Sequence, residues 1–159
     1  NQYPSGFDNY SSLRSDIIPF IDKNYRTIAK KEGRSVAGLS MGGGQSFFIG
    51  FRNVDLFSSV GIFSSGLIGS TAIGGDKFDA EKTIPGMLSK PKKFNKFDVI
   101  YLSCGEEDNR IDGMQEFRQT LLQKGYDGVV WEQYPGGHEW KVWRRNLSSY
   151  VQLIFKNKK

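Results

Sequence analysis

The fold is decided by a short apolar run that passes directly into a glycine-rich turn, Ser35-Val36-Ala37-Gly38-Leu39-Ser40-Met41-Gly42-Gly43-Gly44. Ser35 to Leu39 suits a buried strand, and the apolar residues from Gln45 to Phe51 predict a helix that ends near Arg52 and Asn53. Between them, Gly38 to Gly42 matches the G-x-S-x-G pattern, in which a sharp turn exposes a serine and its neighbours two positions away must be small. We therefore predict that Ser40 is a nucleophile.

The position of Ser40 at the start of a helix predicts how a negative charge would be stabilised there. The positive end of the helix dipole and the free amide of Met41 both point toward an oxyanion formed beside Ser40. Met41 N–H is thus predicted to be half of an oxyanion hole. The alternative is a glycine-rich turn that carries an incidental serine.

A serine hydroxyl needs a base within hydrogen-bond reach, and His138 is the single histidine of the chain. It lies in Pro135-Gly136-Gly137-His138, after the predicted strand Val129 to Tyr134 and before the last helix. This is where a serine-hydrolase base is expected. The alternative is a surface or capped histidine with no catalytic role.

The third member of a triad must accept the Nδ1 proton of the base, and Asp108 fits best. It follows the predicted strand Phe97 to Cys104, at the carboxyl edge of the sheet. The chain order Ser, Asp, His is the one used by α/β-hydrolases. Three rival carboxylates lie nearby, Glu106, Glu107 and Asp112, and we predict that Asp112 caps the following helix.

The remaining pattern predicts an α/β fold, with a parallel sheet and helices on both faces. Further strands are predicted at Phe57 to Phe63, Phe97 to Cys104 and Val129 to Tyr134, and helices at Tyr10 to Ala29, Gly113 to Lys124 and Trp140 to Phe155. Leu67 to Lys96 is predicted to be a long loop or small cap with one short helix around Ala80 to Leu88.

Composition excludes several classes of function. The chain has 159 residues, 38% of them hydrophobic, and a formal net charge of +5, which suits one domain. Its lysines cluster in a loop and at the C-terminus without interleaved aromatics, so no nucleic-acid partner is expected. No run approaches the roughly 20 apolar residues that span a bilayer, so no membrane partner is expected either. Cys104 ends an apolar run and is predicted to be a small buried residue.

Four segments in this order resemble the feruloyl and acetylxylan esterases of carbohydrate esterase family one, from about Tyr10 to Phe155. They are Gly38 to Ser46, Phe63-Ser64-Ser65-Gly66, Cys104-Gly105-Glu106-Glu107-Asp108 and Gly136-Gly137-His138-Glu139-Trp140. The resemblance implies a secreted serine esterase that hydrolyses feruloyl, related acyl or acetyl esters on plant xylan, with no cofactor and no metal. Trp140 and the loop Leu67 to Lys96 are candidates for lining the acyl pocket; packing in the core is the alternative for Trp140.

Members of that family have further strands before the elbow, including a loop that supplies a second oxyanion donor. We therefore expect residues 1–159 to form the C-terminal part of a single α/β-hydrolase domain, with the N-terminal half on a separate chain or cleaved away. A self-sufficient small fold that pairs through its open sheet edge is the alternative. A different class of function, a non-catalytic carbohydrate-binding module, would stack sugars on three tryptophans, Trp131, Trp140 and Trp143.

Overall fold

Strands and helices alternate along residues 12–68 and 78–156, the parts of the chain that the computed structural model of the protein describes. The strands are β1 (Ser35–Leu39), β2 (Ser59–Phe63), β3 (Val99–Gly105) and β4 (Val129–Tyr134). The helices are α1 (Ile18–Asn24), α2 (Met41–Arg52), α3 (Ala80–Thr83), α4 (Pro91–Phe94), α5 (Ile111–Gln123) and α6 (Trp140–Val151). A π-helical turn, Leu13–Ile17, precedes α1, and a 3-10 turn, Lys31–Gly33, precedes β1.

The four strands form one parallel sheet in the order β1-β2-β3-β4. Parallel neighbours need a crossover between them, and the segments between strands contain helices as the sequence predicted. All four carboxyl ends therefore lie at one edge of the sheet, where ligands bind in open α/β sheets. The predicted α/β class with a parallel sheet is confirmed.

Helices cover both faces of the sheet. On one face, α2 and α5 bury a large aromatic cluster that includes Phe47, Phe51 and Phe117. On the other face, α6 packs Val142, Trp143 and Tyr150 against Phe63 and Tyr101. Alternate residues of β3 contribute to opposite clusters, as expected for a central strand that is buried throughout.

The N-terminal helix is shorter than predicted. Its described part begins with the π-helical turn and ends at Asn24, with Tyr25 extended, while Tyr10 lies outside the described residues. Pro19 has no amide hydrogen and crowds the preceding carbonyls, which explains a widened turn just before it. Asn24 Nδ2 donates to Phe20 O at 2.7 Å, so a side chain satisfies a terminal carbonyl of the helix.

Three further predicted details were wrong. The closing helix ends at Val151, because the next amides bond three residues back and Phe155 adopts a φ of 57°. The predicted helix around Ala80 to Leu88 stops at Thr83, where Pro85 follows and Glu81 instead accepts hydrogen bonds from the later amides of Gly86, Leu88 and Ser89. Asp112 is in the first turn of α5 and is not its cap.

The β1 side of the sheet is open. Among the described residues β1 pairs with β2 alone, and Ala37 in its middle is exposed. The large apolar residues Ile17, Phe20 and Ile21, in the π-helical turn and α1, are also exposed. An unpaired edge strand can pair with further chain, and exposed apolar side chains can be covered by it. Within the described ranges, no helix has the length and hydropathy that crossing a membrane requires.

Candidate active site

Ser40 occupies a strained turn between β1 and α2. Its φ is 54° and its ψ is −117°, a region that residues with a side chain seldom adopt. Backbone hydrogen bonds hold the turn: Ser40 N donates to Phe63 O at 2.9 Å, and Ser40 O accepts from Gly66 N at 2.8 Å, from Gly43 N at 3.1 Å and from Gly44 N at 3.4 Å. The elbow predicted from the sequence is therefore present, and it is fastened to the end of β2.

The structure brings the three predicted triad residues into one hydrogen-bonded chain. His138 Nε2 lies 2.8 Å from Ser40 Oγ, and His138 Nδ1 lies 2.8 Å from Asp108 Oδ2. In the tautomer that fits, Nδ1–H donates to the carboxylate and Nε2 accepts from the serine hydroxyl. Glu106 and Glu107, the predicted rivals, are both exposed. This geometry suits a serine nucleophile with a base and an orienting acid.

Backbone contacts between two loops fix the distance between His138 and Asp108. Glu107 N donates to Gly136 O at 3.1 Å, and Glu106 N donates to Tyr134 O at 2.9 Å. These bonds continue the pairing of β3 with β4 beyond the ends of the strands. Gly136 has a φ of 123°, which favours glycine, and lets the histidine loop turn back over the sheet edge.

Asp108 is buried and stays ionised. Burial raises the pKa of its carboxyl, but hydrogen bonds from His138 and Arg110 outweigh this effect and leave the pKa below its usual value. The carboxylate is therefore available as an acceptor throughout the neutral range. Cys104 lies nearby in the core as predicted, and burial raises the pKa of its thiol to about 12, so the thiol is protonated at neutral pH.

Met41 and Trp140 also lie at this edge. Met41 is the first residue of α2, and its amide makes no hydrogen bond to another described residue. Trp140 begins α6 two residues after His138, and 64% of its side chain is exposed. The geometry thus leaves both groups available to a ligand. Within the described ranges, no cluster of His, Cys, Asp and Glu could hold a metal ion.

The structure adds two residues to which the sequence assigned no role in supporting the triad. Trp143 is 8% exposed and packs edge-to-face against the His138 ring, with centroids 4.8 Å apart. Arg110 donates to Asp108 Oδ1 from both its backbone N and its Nη1. Two features of the sequence could have indicated these contacts. Trp143 follows His138 by five residues at the start of a helix, and Arg110 follows Asp108 by two residues. Neither spacing is specific to a catalytic site.

Comparison with known proteins identifies the family. Residues 2–154 match the family described as "Putative esterase". The chain belongs to this esterase family. The resemblance seen in the sequence is therefore confirmed, and so is the expected α/β-hydrolase type of fold, which solved esterase structures share.

The chain is similar to three esterases whose names or titles indicate an activity. An endo-1,4-beta-xylanase/feruloyl esterase from Xylanibacter ruminicola is 32% identical over 146 residues, which cover 91% of this chain and 17% of that protein. An acetyl esterase from Caldicellulosiruptor saccharolyticus is 24% identical, over 89% of this chain and 62% of that protein. The structure of a ferulic acid esterase from Anaeromyces mucronatus superposes with a TM-score of 0.72 at 21% identity, over 92% of this chain and 53% of that one.

The coverage is uneven between this chain and its relatives. The chain spans 17% and 62% of the two curated relatives and 53% of the solved structure, whereas about nine-tenths of this chain is matched each time. The relatives thus contain additional chain that has no counterpart here.

Proposed function

We propose that the protein is a serine carboxylic-ester hydrolase that works through an acyl-enzyme. The observation that carries the proposal is the continuous hydrogen-bonded chain from Ser40 Oγ through the His138 ring to Asp108 Oδ2. Such a chain makes a hydroxyl nucleophilic at neutral pH. Membership of the esterase family supports the same reaction class.

In the first half-reaction, Ser40 Oγ attacks the ester carbonyl while His138 Nε2 takes the hydroxyl proton. Asp108 holds the ring and stabilises the imidazolium that forms. The carbonyl oxygen becomes an oxyanion and accepts a hydrogen bond from Met41 N–H, assisted by the helix dipole. The tetrahedral intermediate then expels the alkoxide, which leaves as an alcohol after His138 Nε2 returns the proton.

The second half-reaction releases the acid. Water attacks the acyl carbon and gives a proton to His138 Nε2, and the bond from the acyl carbon to Ser40 Oγ breaks. The proton then returns to Oγ, so the enzyme is regenerated without a cofactor or metal. A second oxyanion donor is expected from chain outside the described residues, since one donor of this kind is worth about 10²- to 10³-fold in rate.

The substrate we propose is a feruloyl or related acyl ester on plant xylan, with acetylxylan as the second candidate. The name of the Xylanibacter ruminicola relative joins xylanase and feruloyl esterase activity, and that of the Caldicellulosiruptor saccharolyticus relative is acetyl esterase. Trp140 is exposed beside the base and suits stacking on a planar acyl group or a sugar. Because xylan is an extracellular polymer, we propose that the enzyme is secreted.

A non-catalytic carbohydrate-binding module has weaker support. Such a module needs several exposed aromatic rings, but Trp143 is buried against His138 and Trp131 is half-buried against the core. Trp140 is the exposed one of these three. A binding module also has no use for a strained serine hydrogen-bonded to a histidine and a carboxylate.

We also propose that the open edge of β1 is covered by the N-terminal half of the same hydrolase domain. The additional chain of the relatives, the exposed Ala37 and the exposed apolar residues of α1 support this proposal. In size-exclusion chromatography with intact-mass analysis, this chain alone should aggregate without a defined stoichiometry, whereas a discrete, stable dimer would favour the self-sufficient fold that pairs through this edge. A stable, monodisperse monomer would contradict the idea.

The test of the enzymatic proposal is hydrolysis of p-nitrophenyl acetate and methyl ferulate by the wild-type chain and by Ser40→Ala, each alone and with the missing half supplied. Replacing the nucleophile should lower kcat by about four powers of ten or more. Equal rates for both proteins, or no reaction by the wild type even when supplemented, would reject the proposal. The ratio of rates on methyl ferulate and acetylated xylan then assigns the preferred acyl group.

A further inference from the structure

The carboxylate of Asp108 has two oxygens with separate partners. His138 Nδ1 contacts Oδ2 at 2.8 Å, whereas Oδ1 accepts from Arg110 N and Arg110 Nη1, both at 3.1 Å. The Asp108 side chain is fully buried, and that of Arg110 is 24% exposed. One oxygen is thus held by arginine while the other faces the base.

Arg110 is held in place by its position in the chain and by a second hydrogen bond of its guanidinium. Arg110 immediately precedes α5, so its amide points out of the helix start toward Oδ1. The same Nη1 also donates to Asn109 Oδ1 at 3.0 Å, which fixes the direction of the guanidinium. A substitution at Arg110 removes the guanidinium but leaves the backbone donor in place.

Folding stability alone does not account for this arrangement. Arg110 Nε is buried and has no hydrogen-bond partner among the described residues, which costs free energy. A partly buried ion pair of this kind is weak evidence for net stabilisation, because desolvation offsets the attraction. The contact therefore suits a role in orienting the carboxylate.

We propose that Arg110 is a positioning residue for the triad, whose guanidinium holds Asp108 so that Oδ2 alone faces His138. This inference rests on the proposed esterase function. Arg110 acts through Asp108 and not on the ester. Without the guanidinium, the carboxylate keeps the hydrogen bonds from the Arg110 amide and the Ser64 side chain but loses its charged donor. It then rotates more widely about its Cβ–Cγ bond, and the imidazole spends less time in line with Ser40 Oγ.

The expected signature is a fall in kcat with KM nearly unchanged. Arg110→Met should lower kcat about 10- to 100-fold, by analogy with the loss of a hydrogen-bond partner that orients a metal ligand. Arg110→Lys keeps a cation but not the planar fork, so its kcat should lie between those of the wild type and Arg110→Met. Arg118→Met, within α5, is the matched control and should behave like the wild type.

Chemical rescue separates positioning from folding. Added guanidinium ion should restore part of the kcat of Arg110→Ala, at concentrations that leave the circular-dichroism spectrum unchanged, whereas ammonium ion should restore less. A wild type that stays inactive even when supplied with the proposed N-terminal half rejects the esterase proposal itself. An active wild type with Arg110→Met equal to Arg118→Met overturns this inference. If Arg110→Met fails to fold, the other two variants decide. The inference is overturned if Arg110→Lys has the kcat of the wild type and added guanidinium does not rescue Arg110→Ala.

Discussion

A Cβ atom added to Gly38 would lie 2.2 Å from the carbonyl oxygen of Gly42, at the opposite end of the five-residue elbow. By contrast, a Cβ atom added to Gly42 meets nothing within 4 Å in the described structure. The two glycines of the motif are therefore not equivalent: the first is required by contact, and the expectation that both positions must be small is wrong for the second.

Gly38→Ala should therefore disrupt the elbow, while Gly42→Ala should be tolerated. The first substitution forces backbone atoms apart and should lower the free energy of unfolding by about 1–3 kcal/mol. The second places alanine in a helix, where it is favoured over glycine by roughly 0.5–1 kcal/mol. Urea denaturation of both variants checks this prediction, and equal destabilisation of the two would contradict it.

Asp108→Asn should lower kcat by about 10³- to 10⁴-fold, because an amide no longer stabilises the imidazolium and favours the wrong tautomer of His138. Glu106→Gln and Glu107→Gln are the matched controls, since both side chains are exposed and neighbour Asp108 in the sequence. Their kcat should stay near that of the wild type. A larger loss in either control would assign the third triad position to that residue.

The pH dependence of stability should report the ion pairing of Asp108. Its folded pKa is depressed, so between the folded value and the unfolded value of about 3.9 the unfolded chain binds more protons. The stability contributed by this carboxylate is thus fully present above the unfolded pKa and is lost as pH falls through the folded pKa. Urea unfolding of the wild type and Asp108→Asn from about pH 6 to about pH 3 should show their difference shrinking with acidification. Parallel curves would refute this.

Trp140→Ala should raise KM for methyl ferulate about threefold to tenfold, which corresponds to the loss of one aromatic contact of roughly 0.5–1.5 kcal/mol. The kcat should change little, because Trp140 touches Trp143 and not the triad itself. Trp131→Phe, on β4, is the control. Unchanged KM in Trp140→Ala would remove this tryptophan from the substrate site.

Trp143→Ala should act on kcat instead, because the ring packs directly against His138 and its loss leaves a cavity there. Trp143→Phe keeps an aromatic edge against the imidazole and should retain most of the activity. The indole Nε1 has no hydrogen-bond partner within the described structure, so its removal in Trp143→Phe breaks no such bond. Equal kcat in the two variants would show that this packing does not position the base.

Much of this fold was predictable because its signals are local. β1 and β4 were placed to the residue, because short apolar runs between turn residues are typical of strands. The expectation that Ser35 to Leu39 is buried was wrong: β1 is an edge strand among the described residues, half-buried, with Ala37 exposed. Helix ends were less predictable. The first helix ends at Asn24 with a side-chain hydrogen bond, and the closing helix ends at Val151, where the next amides bond three residues back. The apolar period encodes neither feature. The chain after the short helix at Ala80 is held by hydrogen bonds to the Glu81 carboxylate, which the sequence pattern does not reveal either.

The sequence by itself determined the elbow, the order of Ser40, Asp108 and His138, and the parallel α/β class, because these follow from residue type and local periodicity. Only the tertiary structure decided that Asp108 and not Glu106 or Glu107 meets His138, that Arg110 takes the other carboxylate oxygen, and that Trp143 supports the ring. The contacts of His138 with Asp108 and Ser40 depend on strand register and loop pairing between segments 30 and 98 residues apart. The contacts of Arg110 and Trp143 are close in sequence, but they depend on side-chain direction in the folded loops. Glu106, Glu107 and Asp108 carry the same functional group. They differ in side-chain burial and in the direction in which each side chain points, and both of these exist only in the folded chain.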